Sequence, residues 1–212
     1  VLSITAAAAL TRATGNPRCE SFAVDLGDLD TVHRFVAEMG RRGTAINALI
    51  NNAGTIAEGA MKVNHIGHFA LTLGLVPGLT KSAQTRGQAY VVNVASCAHF
   101  GSFGLGQRLD SLTMDRGSSS WGEYSDSKAA NVLFGLEGDR RLSGIRFLTY
   151  HPGVMMTDLW RQSSAAASSG AGGDDHAGHL LGLSVDVLHR HLRLRVGPQE
   201  RVKTFLTNLT EM

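Results

Sequence analysis

The clearest signal of the fold is the segment Ala45-Ile46-Asn47-Ala48-Leu49-Ile50, followed by Asn51-Asn52-Ala53-Gly54. Its first six residues are a short, largely apolar run that predicts a buried strand, and the next four are polar or small. A similar run, Ser21-Phe22-Ala23-Val24, predicts another buried strand that ends at Asp25. A helix is predicted between the two runs, after the N-cap residue Asp28. These elements make one strand-helix-strand unit.

The same alternation continues towards the C-terminus. Helices are predicted from about Met61 to Val76 and from about Tyr124 to Leu142. Strands are predicted at Ala89–Val94 and at Ile145–Tyr150, where the runs are largely apolar and do not alternate strictly with polar residues. Strands that alternate with helices form parallel sheets covered by helices on both faces, so we expect an α/β protein with a parallel sheet. Ligands of such sheets bind beyond the carboxyl ends of the strands.

Length and composition fit one globular domain over residues 1–212. Of the 212 residues 43% are hydrophobic and 18% are charged, which is far from the signature of a disordered chain. The formal net charge of +2 gives no reason to expect a nucleic-acid partner. One segment, Ser163 to Asp175, contains only Ser, Ala, Gly, Asp and is expected to be a flexible loop, either a plain linker or a lid.

Nothing in the sequence predicts a membrane segment or a metal site. No apolar run reaches the 18 residues that a membrane-spanning helix requires, and the two cysteines have no neighbouring metal ligands. So few cysteines fit a reducing compartment, and we expect a cytoplasmic protein. The sequence starts with Val1 instead of Met, which leaves an upstream segment with an anchor open.

Tyr124 and Lys128 are the first candidates for chemistry. They lie four residues apart at the start of a predicted helix and therefore share one face. An adjacent ammonium favours the phenolate and lowers the pKa of a tyrosine, which makes the phenol usable as an acid and base. Such a pair also occurs by chance on solvated helices, so it needs support from other parts of the chain.

Two further polar residues provide that support. Ser96 follows the strand Ala89–Val94, and its hydroxyl could donate a hydrogen bond to a substrate carbonyl oxygen or simply cap a turn. Asn64 is a polar residue within an otherwise apolar helical stretch, which is either a satisfied buried amide or part of a site. Pro152-Gly153 follows the last predicted strand and predicts a turn there.

Taken together and in this order, these motifs resemble the short-chain dehydrogenase/reductase family. The resemblance rests on five motifs at strand ends and helix starts: Asn52-Ala53-Gly54, Asn64, Ser96, Tyr-x-x-x-Lys at 124–128, and Pro152-Gly153. The sequence around Asn64 and around Pro152 is similar to that of the retinol-dehydrogenase-like branch. The resemblance implies a Rossmann-like, doubly wound parallel sheet. It also implies an oxidoreductase that interconverts an alcohol and a carbonyl with NAD or NADP, NADP being slightly favoured.

The resemblance also implies a role for each site residue. Tyr124 would exchange the proton, Ser96 would hold the carbonyl, Lys128 would lower the pKa of Tyr124 and bind the nicotinamide ribose, and Asn64 would hold a relay water. The cofactor-binding positions would be Asp25 and Leu26 at the adenine, Asn52, Ala53 and Gly54 along the floor, and Pro152, Gly153, Val154 and Thr157 at the nicotinamide. We expect a small apolar alcohol or carbonyl substrate and no metal. Family members often form homodimers, but the sequence shows no interface and leaves the oligomeric state open.

The sequence departs from the family at its start. The family's Thr-Gly-x-x-x-Gly-x-Gly turn, whose backbone holds the pyrophosphate, does not occur, and the first strand-helix-strand unit is expected to be missing. We favour a fragment of a longer enzyme over a natural short form. The alternative function is a non-catalytic binding or interaction protein that descends from such an enzyme and has lost cofactor binding.

Overall fold

The structure, a computed structural model, describes residues 4–102 and 120–153. All of these residues belong to one compact unit. The predicted loop Ser163–Asp175 and the predicted nicotinamide contacts Val154 and Thr157 lie outside the described residues. One domain over the whole chain therefore stays a prediction.

Seven regular helices and strands make up the described part of the chain. In chain order these are α1 (Ile4–Thr14), α2 (Leu29–Arg42), β1 (Ala48–Asn51), α3 (His68–Arg86), β2 (Ala89–Val94), α4 (Ser120–Arg141) and β3 (Ile145–Tyr150). A π-helical turn at Lys62–Gly67 leads directly into α3, and a 3-10 turn at Cys97–Gly101 follows β2.

The three strands form one parallel sheet in the order β1-β2-β3. Asn51 lies beside Asn93, and Asn93 lies beside Thr149, so all three strands end at the same edge. The predicted α/β fold with a parallel sheet is therefore confirmed. Strands β2 and β3 have the predicted bounds, whereas β1 starts three residues later and ends one residue later than predicted.

The predicted strand at Ser21–Val24 is wrong. The structure gives these residues no regular conformation, and Phe22 is exposed. A parallel strand needs a neighbouring strand to accept its hydrogen bonds, and the described residues supply none at this place. The Phe22 ring packs instead on Phe35 of α2, beneath the guanidinium of Arg42.

The ends of α2 and α3 agree only in part with the ends predicted from the sequence. Asp28 caps α2 as predicted, since its side chain accepts a hydrogen bond from the N–H of Asp30. Gly43 ends α2 in the left-handed conformation with φ 61°, whereas Gly40 lies inside the helix. Helix α3 was predicted to end at Val76 but continues through Pro77 to Arg86.

Tertiary contacts explain why α3 passes through its proline. The carbonyl of Gly78, the next residue, accepts a hydrogen bond from the N–H of Ile46 over 3.1 Å. A Cβ on Gly78 would lie 2.8 Å from the carbonyl oxygen of Thr44, so this turn packs directly on the segment before β1. The packing offsets the helical hydrogen bond that a proline cannot make.

The main core lies between the sheet, α3 and α4. Its buried side chains are Leu79, Ala89, Val91, Phe134, Ile145 and Phe147. Gly135 lets α4 approach β3 closely, because a Cβ at this position would lie 2.1 Å from the hydroxyl oxygen of Thr149. Within residues 4–102 and 120–153 no helix is both long and apolar enough to span a lipid bilayer.

Candidate active site

The candidate site lies at the carboxyl edge of the sheet, where three strand ends meet. Residues 52–54 follow β1, Ser96 follows β2 by two residues, and residues 151–153 follow β3. The N–H of Ala95 donates to the carbonyl of Tyr150 over 2.9 Å, which ties the last two strand ends together. Parallel strands thus bring to one edge three motifs that are far apart in sequence.

Tyr124 is buried near the start of α4. Its ring contacts Trp121 at 5.5 Å between centroids and packs against Ile56, Ala60 and Ala98. Burial raises the pKa of Tyr124 above its ordinary value, and a hydrogen bond with Ser96 partly offsets this rise. The net shift is upward, which is opposite to the lowering of the Tyr124 pKa that the resemblance implied through Lys128.

Ser96 is held in place from the other side. Its Oγ accepts a hydrogen bond from the N–H of Ala98 over 3.2 Å and so caps the 3-10 turn that follows β2. A hydroxyl that accepts one bond can still take part in a second, here with Tyr124. The capping role and the site role of Ser96 are therefore compatible.

Lys128 is buried one helical turn after Tyr124, with 5% of its surface exposed. Its Nζ donates to the carbonyl of Val94 over 3.0 Å and lies 5.5 Å from the centroid of the Tyr124 ring. Burial lowers the pKa of Lys128 to about 8. An ammonium has three donors, so two remain for further partners.

The side chain of Asn64 joins the loop after β1 to α4. Its Oδ1 accepts from the N–H of Thr55 over 2.8 Å, and its Nδ2 donates to the Thr55 carbonyl over 2.9 Å. The same Nδ2 donates to Ser127 Oγ over 3.0 Å. Asn64 is fully buried, and these three hydrogen bonds give its amide group partners within the site.

The main-chain carbonyl of Asn64 is occupied as well. It accepts hydrogen bonds from His68 Nδ1 over 3.0 Å and from Asn131 Nδ2 over 3.1 Å. Because a carbonyl accepts only, Nδ1 carries the proton in neutral His68, whose pKa burial lowers. Two donors fill both lone pairs of this carbonyl, which leaves Asn64 Oδ1 as the atom with a lone pair to spare.

The side chains of Asn64 and Lys128 both lie close to Gly54. A Cβ on Gly54 would lie 3.2 Å from Asn64 Oδ1 and 3.6 Å from Lys128 Nζ. A larger residue here would crowd both polar groups. Asn52 and Ala53, which precede Gly54, are exposed and line the same edge of the sheet.

Asp25 and Leu26, the predicted adenine contacts, lie in a turn that packs on the π-helical segment. The carboxylate of Asp25 accepts from the N–H of Gly27 over 2.8 Å, within the turn itself. A Cβ on Gly67 would lie 2.2 Å from the carbonyl oxygen of Leu26, so the close packing requires glycine at position 67.

Pro152 and Gly153 form the predicted turn after β3. Gly153 has φ 90°, a conformation that favours glycine. His151 precedes them, and burial lowers its pKa, with a smaller contribution from His99. The structure thus brings together Tyr124, Ser96, Lys128 and Asn64, with the strand ends around them.

The sequence patterns did not indicate four residues whose hydrogen bonds support the segment that carries Asn64. They are Glu123, Ser127 and Asn131 on α4, and His68 on α3. Ser127 and Asn131 follow Glu123 at intervals of four residues, which places all three on one helical face. That spacing was the available signal. In the described part of the chain, no three His, Cys, Asp or Glu side chains group as metal ligands.

Comparison with known proteins supports one family. Human retinol dehydrogenase 11 is 35% identical over 164 residues, which are 71% of this chain and 49% of that protein. The chain spans about half the length of the curated relatives it matches. No protein-family model matches the chain.

Two solved structures share the fold. The Pseudomonas aeruginosa RhlG/NADP active-site complex has a TM-score of 0.59 and 21% identity, covering 77% of this chain and 64% of that one. The NADPH-bound carbonyl reductase from chicken fatty liver has a TM-score of 0.55 and 25% identity, covering 74% and 66%. The predicted Rossmann-like fold is thus confirmed, and the chain belongs to the short-chain dehydrogenase/reductase family, in its retinol-dehydrogenase-like branch.

Proposed function

We propose that this chain carries the proton-transfer side of a nicotinamide-dependent oxidoreductase that interconverts an alcohol and a ketone or aldehyde. The observation that carries the proposal is the position of the buried Lys128 ammonium, whose Nζ lies 5.5 Å from the centroid of the Tyr124 ring. Ser96 is a hydrogen-bonding partner of the same phenol. The relatives are dehydrogenases and reductases, which supports oxidoreduction in general.

In the direction of carbonyl reduction, Tyr124 acts as the proton donor. Its raised pKa keeps the phenol protonated at neutral pH, so a proton is available for the substrate oxygen. Ser96 donates a second hydrogen bond to the same oxygen and stabilises the negative charge that develops there. The carbonyl carbon gains a hydride and its oxygen gains the phenolic proton. Tyr124 is left as a phenolate.

Lys128 and Asn64 return a proton to Tyr124. The Lys128 ammonium stabilises the phenolate by its charge, and its two spare donors can hold a ribose hydroxyl and a water. We assign that water to Asn64 Oδ1, because Oδ1 and Lys128 Nζ both lie near Gly54. The main-chain carbonyl of Asn64 already accepts two hydrogen bonds, from His68 and Asn131. The proton relay would then start beside Gly54, between Asn64 Oδ1 and Lys128 Nζ.

The residues at the sheet edge fit the nicotinamide half of a cofactor. A Cβ on Gly54 would crowd Asn64 Oδ1, so glycine leaves the polar groups at this place accessible to a ligand, and Lys128 has unused donors next to it. A bound nicotinamide would supply or accept the hydride. Asn52, Ala53, Gly54, Pro152 and Gly153 would line its site, with Val154 and Thr157 beyond the described residues, while Asp25 and Leu26 would contact the adenine.

NADP is slightly favoured over NAD. The structural neighbours include complexes with NADP or NADPH and one with NADH, so they support a nicotinamide cofactor and only a slight preference. The sequence contains no Thr-Gly-x-x-x-Gly-x-Gly turn for the pyrophosphate, so these residues alone are expected to bind either nucleotide weakly.

We also propose a small apolar substrate and a homodimer. An exposed apolar strip runs along two adjacent helices, which the rings of Phe69 and Phe134 join at 5.0 Å. The strip consists of Ile66, Phe69, Leu73, Leu133 and Leu136. A twofold axis would pair this strip with itself. Phe69→Asp should then give a monomer in sedimentation equilibrium, and a wild-type chain that is already monomeric at high concentration would rule the dimer out.

The proposal is tested by titrating the purified chain with NADH and NADPH while following nucleotide fluorescence. We expect saturable binding, weakened by Lys128→Met. Tyr124→Phe should retain binding and lose carbonyl reduction. Tyr90→Phe is the matched control, because Tyr90 lies on β2 away from the site and its hydroxyl bonds to Gln88. Turnover by Tyr124→Phe at the wild-type rate would contradict the mechanism.

A folded chain that binds neither nucleotide would favour the second function, a non-catalytic interaction protein. The observation on that side is that β1 lies at an edge of the sheet that the described residues form, where Ile50 is 51% exposed. An open sheet edge is a place where another polypeptide can pair.

A further inference from the structure

Glu123, the residue before Tyr124, makes a contact that the proposed mechanism does not use. Its carboxylate accepts hydrogen bonds from two backbone N–H groups, those of Gly59 and Met61, each over 3.0 Å. These amides lie 64 and 62 residues away in sequence, at the start of the helical segment that carries Asn64. Glu123 therefore joins the helix of Tyr124 to the helix of Asn64.

The contact replaces a missing N-cap. The carbonyl of Gly59 accepts the N–H of Val63 over 3.1 Å, which makes Gly59 the capping position of that segment. Gly59 has no side chain to bind the free N–H groups of the first turn, and its φ of 81° favours glycine. A carboxylate from α4 fills the gap, and its negative charge suits the positive end of the helix dipole.

A second contact lies one turn further along α4. Ser127 Oγ accepts from Asn64 Nδ2 over 3.0 Å and donates to the carbonyl of Tyr124 over 2.7 Å. Glu123 and Ser127 therefore hold one face of α4 against the Asn64 segment. Tyr124 and Lys128, each one residue later, lie on the neighbouring face that points to the site.

The capped turn also forms part of the wall around the phenol. Ala60, which lies between the two amides that Glu123 binds, is fully buried and packs in the same cluster as Tyr124. If this turn frayed, the Tyr124 ring would lose apolar cover. Because burial is the main cause of its raised pKa, the titration of Tyr124 reports on the turn.

We propose that Glu123 is a positioning residue, which caps the Asn64 segment from α4 and thereby fixes the relative position of Asn64 and Tyr124. The inference rests on the proposed roles of these two residues. Glu123 itself does not contact the substrate in this scheme.

The test compares Glu123→Ala and Glu123→Gln in the full chain. Tyrosine ring carbons are labelled with ¹³C, the Tyr124 signal is assigned with Tyr124→Phe, and its titration is followed by NMR. We expect the pKa of Tyr124 to fall towards its ordinary value in Glu123→Ala. Glu123→Gln should show a smaller fall, because an amide oxygen can accept one of the two bonds but its NH₂ group cannot accept the other.

Amide hydrogen exchange supplies a second measurement. Residues 60–64 should exchange about fivefold faster in Glu123→Ala, the factor that the loss of an ordinary N-cap gives. Glu58→Gln is the matched control, since Glu58 is exposed and lies next to the same turn. It should change neither measurement.

A wild-type Tyr124 titration in folded Glu123→Ala and Glu123→Gln would overturn the proposal, even if both variants melt at a lower temperature. That outcome would leave Glu123 with a structural cap only. If Glu123→Ala does not fold, Glu123→Gln decides by the same criterion. Neither measurement involves nucleotide or substrate, so an absence of nucleotide binding would refute the proposed function without affecting this test.

Discussion

Replacing Lys128 by Met should make the chain more stable at neutral pH and should change how its stability depends on pH. Lys128 is buried, and burial lowers its pKa to about 8 from an ordinary 10.5. The unfolded chain therefore binds this proton more tightly than the folded chain does. Between the two pKa values the unfolded state holds more protons, so the free energy of unfolding rises with pH.

The size of the effect follows from the two pKa values. Burying the protonated lysine costs about 3 kcal/mol at pH 7, and the cost falls to about 1 kcal/mol at pH 9.5. The wild type should thus gain about 2 kcal/mol relative to Lys128→Met over this range. Higher pH is avoided, because the raised pKa of Tyr124 implies that stability is lost once the phenol ionises.

Urea unfolding at intervals from pH 7 to pH 9.5 measures this difference. Subtracting the variant from the wild type cancels the titration of all other groups that the substitution leaves unchanged. Lys62→Met is the matched control, because Lys62 is exposed, and its difference from the wild type should not vary with pH. A constant difference between the wild type and Lys128→Met across the range would show that the buried ammonium is not the cause.

Two further substitutions test the fold. Gly135→Ala should cost about 3 kcal/mol or prevent folding, because its methyl group would lie 2.1 Å from Thr149 Oγ1. Gly40→Ala, on an exposed position of α2 with open space around it, should instead add up to about 1 kcal/mol, and thermal unfolding of both variants would show the opposite signs. Asp28→Ala removes the N-cap bond to Asp30 and should lower the free energy of urea unfolding by about 1 kcal/mol; no change would mean that the cap contributes nothing.

The parts of the fold that could be predicted are those whose residues determine the local structure by themselves. Strands β2 and β3 are apolar runs with β-branched residues, and each ends at a polar or small sequence, so their bounds followed from the sequence. The run at Ser21–Val24 has the same local character. Strand formation also depends on a partner, however, and a pattern within one segment does not show whether that partner is present.

The positions of the candidate site residues could be predicted, but the hydrogen bonds that connect them to the rest of the structure could not. The order of strand ends and helix starts brought Ser96, Tyr124 and Lys128 to one edge of the sheet, as the parallel topology requires. The supporting contacts of Glu123 and Asn131 join residues more than sixty positions apart. The spacing along α4 shows that these residues share a helical face, but it does not show which residues they contact, because that depends on how two helices pack.

Stability alone does not account for a lysine at position 128. The ammonium bonds to the carbonyl of Val94, and within the described residues no carboxylate pairs with it. A cost of about 3 kcal/mol is a large part of the 5–15 kcal/mol by which ordinary domains are stable. A methionine of similar length would fill the space without the charge. The buried ammonium therefore needs a reason other than folding, and the proposed proton transfer would supply one, because the two spare donors lie near Asn64 Oδ1 and Tyr124.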